Sequence, residues 1–154
     1  MKEIEIQLGK KLRLHHVFCK LLNEKEVENI SKSIEMFDSY IKSIGLKTKG
    51  PLITKTVGYV EDSLLKTKVT LLVQLENVPH NKVESPYSYK EEIFVDKSLY
   101  ARYIGDQEHS TIAQYKIQVV AYENELKLKG DIYNVFVSNE EGKITLDVFA
   151  PIYE

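Results

Sequence analysis

Two stretches of the sequence close on nearly the same alternating run. Lys68-Val69-Thr70-Leu71-Leu72-Val73 and Lys143-Ile144-Thr145-Leu146-Asp147-Val148 share Lys, a β-branched residue, Thr and Leu in one order. Alone, such a run is a common strand. What precedes it carries the weight. Each follows a strand-like stretch, an amphipathic helical stretch, a glycine, a second strand and a turn. A chain with that order twice has few ways to bury its apolar faces. Two β-α-β-β units joined into one antiparallel sheet, with two helices packed on one face, satisfy it. The predicted fold class is therefore α+β, a single domain over 1–154. Repeat one covers about 1–76, a connection about 77–90, and repeat two about 91–154.

The elements follow from periodicity. Residues 3–8 and 11–18 alternate polar and apolar, the mark of half-buried strands. Asn23 with Glu26 makes a capping box. Val27, Ile30, Ile34, Phe37, Ile41 and Ile44 then step by three and four, which predicts one helix over about 24–44 with Gly45 at its C-terminal cap. Leu52 to Val60 and Lys66 to Leu75 read as strands around a turn at Glu61-Asp62-Ser63. Pro79 and Pro86 mark the connection. Glu91 to Val95 and Leu99 to Ile104 read as short strands. The second helix starts at Ser110 as N-cap, with Ile112, Tyr115, Val119, Tyr122 and Leu126 as its inward stripe. Gly130 follows. Asp131 to Val137 and Lys143 to Ala150 form a hairpin around Asn139-Glu140-Glu141-Gly142. Gly50 to Lys68 is 18 residues and Gly130 to Lys143 is 13, so the halves differ in hairpin length. Duplication also creates a groove along the pseudo-twofold axis, a common place for a ligand.

Composition excludes several classes. Twenty-one Lys and Arg against 23 Asp and Glu give a net charge of -2, so no nucleic-acid partner driven by bulk charge is expected. Arg13 and Arg102 are the two arginines, a thin supply for bidentate phosphate recognition. The single cysteine, Cys19, rules out an internal disulfide. His15 and His16 are adjacent in a strand and point to opposite faces, so no metal is expected. No signal peptide and no 18-residue apolar run is visible, which predicts a cytoplasmic chain without a membrane partner. There is no Gly-x-Ser-x-Gly, phosphate-binding glycine loop or dinucleotide fingerprint. No cofactor and no catalysis are expected.

The pattern resembles the GyrI-like family, the effector-binding domain also fused to AraC- and MerR-type regulators. Tyr100-Ala101-Arg102-Tyr103-Ile104-Gly105 resembles the family's strand before its second helix. Gly130-Asp131-Ile132-Tyr133-Asn134-Val135-Phe136 resembles its Gly-Pro-x-x-Glu-x-Tyr segment. Leu146 to Ile152 resembles its closing strand, with a hydrophobic-Pro-hydrophobic end at Ala150-Pro151-Ile152. The first half matches by element order and Gly50-Pro51. The resemblance implies a duplicated α+β fold and a small-molecule pocket between the repeats. Many members take lipophilic cations there, using aromatic walls and a buried glutamate, and some are hydrolases using that acid. Here Asn134 stands at the glutamate position. An amide offers dipoles where a carboxylate attracts a cation. The Tyr-x-Val-Phe-Val and Asp-Val-Phe-Ala-Pro pieces also resemble small Gram-positive proteins encoded near LXG-type toxins, which implies an accessory role. With no helix-turn-helix in 154 residues, the effector module is expected to be the whole protein.

Three function classes follow. The first is a stand-alone, non-enzymatic module taking a neutral or mildly cationic organic molecule. Tyr59, Tyr103 and Phe136 are its expected walls, and Asn134 orients the ligand. Asp147 is the candidate acid in place of the missing glutamate if it shares a face with Asn134; strand alternation alone sends it outward. The second is an adaptor whose groove or sheet edge holds a partner's segment. The third is an enzyme, which needs Asp147 or Glu123 in the groove.

Overall fold

The computed structural model describes residues 4–153. Among them the order is β1 (Ile6–Leu21), α1 (Glu24–Glu28), α2 (Ile30–Ser43), β2 (Thr48–Glu61), β3 (Leu64–Leu75), β4 (Tyr87–Asp106), α3 (Ile112–Glu123), β5 (Asp131–Glu140) and β6 (Lys143–Pro151). A 3₁₀ turn at Gln107–His109 leads into α3. The order reads strand, helical segment, strand, strand, twice. The chain divides into two compact units. One holds residues 13–93; the other holds the chain up to Leu12 together with Phe94 onwards. The class is α+β, with the strands paired antiparallel in each unit. No helix among the described residues is long and apolar enough to cross a membrane.

In the unit of residues 13–93, β3 lies between β1 and β2, with Phe18 opposite Val73 and Thr54 opposite Leu71. Val69, Leu71, Val73 and Leu75 alternate onto the face that meets α2. There they close a core with Phe18, Phe37, Ile41 and Leu46. The capping box forms as its sequence requires: the Glu26 amide donates to Asn23 Oδ1 at 2.9 Å, and the Asn23 amide donates to Glu26 Oε1 at 3.1 Å. The single predicted helix breaks at Asn29, whose φ of -114° and ψ of 53° are not helical. The first turn folds over the end of β1, where Ser33 Oγ donates to the Glu26 carbonyl at 2.8 Å. The predicted turn at Asp62 and Ser63 is present, both residues at positive φ, as a two-residue hairpin turn demands.

In the other unit β6 lies between β4 and β5. Leu99, Ala101, Tyr103, Leu146, Val148 and Ala150 form one face and pack against Ala113, Ile117 and Ala121 of α3. This corrects the inward stripe expected for the second helix. Tyr115 is 62% exposed and Tyr122 87% exposed, with Ile112 and Val119 also on the outer side. Of the expected set, Leu126 alone packs on the core. The helix carries two apolar stripes, both at helical spacing. The one with two alanines wins because small side chains let the helix axis approach the sheet closely. The N-terminus also differs. Ser110 caps the C-terminal end of the 3₁₀ turn, its amide donating to the Gln107 carbonyl, and Thr111 holds the α3 cap position without a side-chain bond.

Two pairs of predicted strands are continuous. Residues 3–8 and 11–18 contribute to one β1, with residue 3 outside the described residues, and 91–95 and 99–104 merge into β4. The break in alternation that separates them in the sequence is absorbed within the strand. In β1, Gly9 (φ 91°) and His16 (φ 52°) take positive φ without ending it.

Candidate functional site

Strand register sorts the candidate residues of the α3-containing unit. Asn134 pairs with Val148 and Phe136 with Leu146, while Tyr103 pairs with Leu146 from the other side. These side chains therefore share the face covered by α3. Phe136 packs against that core. Tyr103 is buried, and its hydroxyl donates to the Asp106 carbonyl at 2.5 Å; burial pushes its pKa up. Gly105 permits that bond, because a Cβ there would lie 2.8 Å from the Tyr103 hydroxyl. Asp147 pairs with Arg102 and Val135 and so lies on the opposite face. The structure thus keeps Asn134 and Asp147 apart: a period of two sends neighbours of Val148 to the other side of the sheet. Alternation puts Asp147 on the face opposite α3, but its side chain is largely covered there rather than solvated.

That opposite face carries a polar-aromatic cluster. The Asp147 side chain is 14% exposed. Its carboxylate accepts Arg102 Nε at 2.8 Å, Arg102 Nη2 at 2.9 Å and the Tyr100 hydroxyl at 2.7 Å. The two guanidinium bonds form a bidentate pair, the strongest geometry available to a carboxylate and an arginine. Tyr100 titrates above an ordinary tyrosine, first because of burial and then because its proton bonds Asp147. Arg102 is held even more firmly protonated by the Asp147 bond and charge. Tyr100 also meets Phe149 at 5.0 Å between ring centroids, and Lys10 Nζ lies 5.4 Å over its ring. Three bonds already engage Asp147, and the Arg102 guanidinium neutralises the charge that an incoming cation would meet. Sequence reasoning missed Arg102 as its partner. Aligning β4 against β6 in antiparallel register is the signal that pairs them.

Tyr59 belongs to the other unit and to a cleft of about 520 Å³. The end of β1 and α1 supply Leu21, Leu22, Glu24 and Val27, and β3 supplies Lys66, Thr67 and Lys68. Tyr59 stands opposite Lys66 across the β2–β3 ladder. Lys68 Nζ sits 5.1 Å over the Tyr59 ring, a cation-π contact that occupies the ring's negative face. Lys66 reaches Glu24 at 3.5 Å and Glu61 at 4.0 Å, and these acids, Glu61 first, raise its pKa. The cleft combines an apolar wall with two ammonium groups, Lys66 and Lys68, and two carboxylates, Glu24 and Glu28; Lys66 is engaged by Glu24 and Glu61. Neither lysine is marked as a site residue by any motif or spacing in the sequence.

Elsewhere in the same unit, Tyr40 and Tyr87 stack at 4.0 Å with 12° between planes, and Phe18 stacks on both Tyr87 and Phe37. Cys19 is buried, and burial raises its thiol pKa. Glu123 ends α3 and is exposed. Among the described residues no three His, Cys, Asp or Glu gather to hold a metal ion.

No family model matches the chain, and no curated protein matches its sequence. Solved structures do match its fold. EcmrR in a DNA complex superposes with a TM-score of 0.72 at 12% identity over 98% of this chain, which spans 58% of that one. The EcmrR C-terminal domain gives 0.68 at 12% identity, covering 98% of both chains. SAV2435 bound to tetraphenylphosphonium gives 0.52 at 10% identity, over 99% of this chain and 94% of that one. A Listeria innocua hydrolase encoded by lin2189 gives 0.57 at 8% identity, over 98% and 92%. At these identities the likeness is one of fold. It is the coarse α+β fold that the GyrI-like resemblance implies, shared by the EcmrR C-terminal domain and by SAV2435 bound to tetraphenylphosphonium.

Proposed function

We propose that this chain is a non-catalytic binding module of GyrI-like type for an organic small molecule, with Tyr59 as one wall of the site. The observation that carries this reading is the cleft of about 520 Å³ beside Tyr59, a volume in the range of small-molecule sites. Its chemistry favours a ligand with an apolar body and a neutral or anionic end. Lys68 lies over the Tyr59 ring, so a ligand cation would meet an ammonium at the aromatic surface it needs. The same preference follows at Asp147, where Arg102 already holds the carboxylate that a cation would use. SAV2435 binds tetraphenylphosphonium; our reading gives this chain the shared fold with a different charge preference. A non-enzymatic role fits the pairing of Asp147, the acid on which a hydrolase would rely.

A thermal-shift panel of aromatic carboxylates, neutral aromatics and lipophilic cations tests the proposal. Ligand bound to the native state raises the melting temperature in a dose-dependent way. The expected result is a rise with aromatic carboxylates or neutral aromatics that Tyr59→Ala abolishes and Lys68→Gln reduces for the carboxylates. A rise confined to cations, or one untouched by Tyr59→Ala, overturns it.

An adaptor is the second reading. It is favoured by the tip of the β2–β3 hairpin, where Val60, Leu64 and Leu65 are all strongly exposed. A flat response to every compound, together with a host protein whose capture is lost on Leu65→Glu, supports the adaptor instead.

A further inference from the structure

The outer face of α3 is apolar, and it is also self-complementary. Ile112, Tyr115, Val119 and Tyr122 all lie on it, each at least 41% exposed. Their centre is opposite the buried Ala113, Ile117 and Ala121. The helix satisfies its own sheet with one stripe and presents a second stripe to solvent. A contiguous exposed patch with two tyrosines marks an interaction surface on a soluble protein.

The order of the four residues identifies the occupant. Their spacings are three, four and three, which read the same from either end. Place a second α3 antiparallel to the first, with a twofold axis at position 117. Ile112 then meets the second copy's position 122, and Tyr115 meets position 119. Every contact joins an aromatic side chain to an aliphatic one, so large groups fill the spaces beside small ones. An isologous interface requires this kind of self-matching of one patch. Charge does not oppose it, since α3 carries one lysine, Lys116, and one glutamate, Glu123. The area is adequate too. Taking about 150–250 Å² for a fully covered aromatic, the four side chains expose on the order of 500 Å². Two copies bury on the order of 1,000 Å² from the stripe alone, the lower bound for a specific interface.

We infer that α3 is a homodimerisation helix, in which a second copy of this chain packs antiparallel through Ile112, Tyr115, Val119 and Tyr122. The inference goes beyond ligand binding and does not depend on it.

Sedimentation of the full chain between about 1 and 100 μM tests it. The expected result is a concentration-dependent shift from one chain mass to two. Tyr115→Glu and Tyr122→Glu should each weaken association at least tenfold while leaving the melting temperature of the dilute protein unchanged, because both side chains are exposed. The register has its own readout. Tyr115→Cys/Val119→Cys should cross-link to a covalent dimer on mild oxidation, and Gln114→Cys/Gln118→Cys, one flank away, should not. Cys19 is buried and stays out of the exchange. A chain that remains monomeric at 100 μM overturns the inference. So does a dimer that survives both glutamate variants, or one that cross-links equally through positions 114 and 118.

Discussion

Lys20 and Glu26 show how one residue pair ties an element to its sheet. The Lys20 ammonium reaches Glu26 Oε2 at 2.5 Å, with side chains 8% and 25% exposed. Glu26 therefore closes the capping box with Asn23 and neutralises a buried lysine. Its pKa lies below the ordinary value, first through the Lys20 bond and then through the Asn23 amide. The sign follows. The stabilisation is fully present above the unfolded value of about 4.3 and is lost as pH falls through the lower native value. Glu26→Gln leaves a buried ammonium without its counter-charge and should cost about 3 kcal/mol at pH 7. Urea unfolding at pH 7, 5, 4 and 3 checks it. The gap between wild type and variant should close toward pH 3, and a constant gap would make the role of Glu26 purely steric. The sequence shows the capping half of this arrangement, because Asn23 and Glu26 are three apart. It hides the lysine half, since Lys20 sits in a strand and looks like one more surface charge. Arg102 and Asp147 are hidden in the same way, 45 residues apart and joined only by register.

At the scale of elements, α3 is the instructive case. Both hairpin turns and the approximate places of the strands are legible, because period-two alternation and turn residues act locally, but the extent of β4 is not: it begins at Tyr87, inside the expected connection, and runs unbroken to Asp106. The face of α3 is not. Its larger apolar stripe contains Tyr115 and Tyr122, and hydrophobic periodicity alone sends that stripe inward. The sheet beneath selects Ala113, Ile117 and Ala121 instead, because only small residues allow the close approach that fills the space above Ala101 and Val148. Ala121→Leu should therefore cost about 1–3 kcal/mol by overpacking, read from the midpoint of chemical unfolding. A near-neutral result would mean that the tyrosine stripe, not the alanine stripe, faces the sheet. The break at Asn29 is a milder example. The stripe from Val27 to Ile44 keeps its phase across it, so the pattern gives no sign that the helix is in two pieces.

The whole chain shows why a repeated order of elements does not translate into two independently folded segments. The strand β1 contributes its beginning to one compact unit and its remainder to the other, and β4 does the reverse. The α3-containing core is therefore not made by the C-terminal half alone. Ile4 is buried in it, Ile6 packs against it, and Ser98 Oγ donates to the Lys10 carbonyl at 2.8 Å. Element order, which local periodicity reveals, is a different quantity from unit membership, which depends on long-range burial. Ile4→Ala removes a buried aliphatic side chain more than ninety residues from its partners. It should destabilise the protein by about 2–3 kcal/mol. A fragment beginning at Phe94 should then fail to show a cooperative unfolding transition, and adding a peptide of residues 1–12 should restore one. Heat capacity and near-ultraviolet dichroism of the fragment decide it. If residues 94–154 melt cooperatively by themselves, the N-terminal strand is an addition to a core already complete. If they melt only with the peptide, that core is built from both ends of the chain.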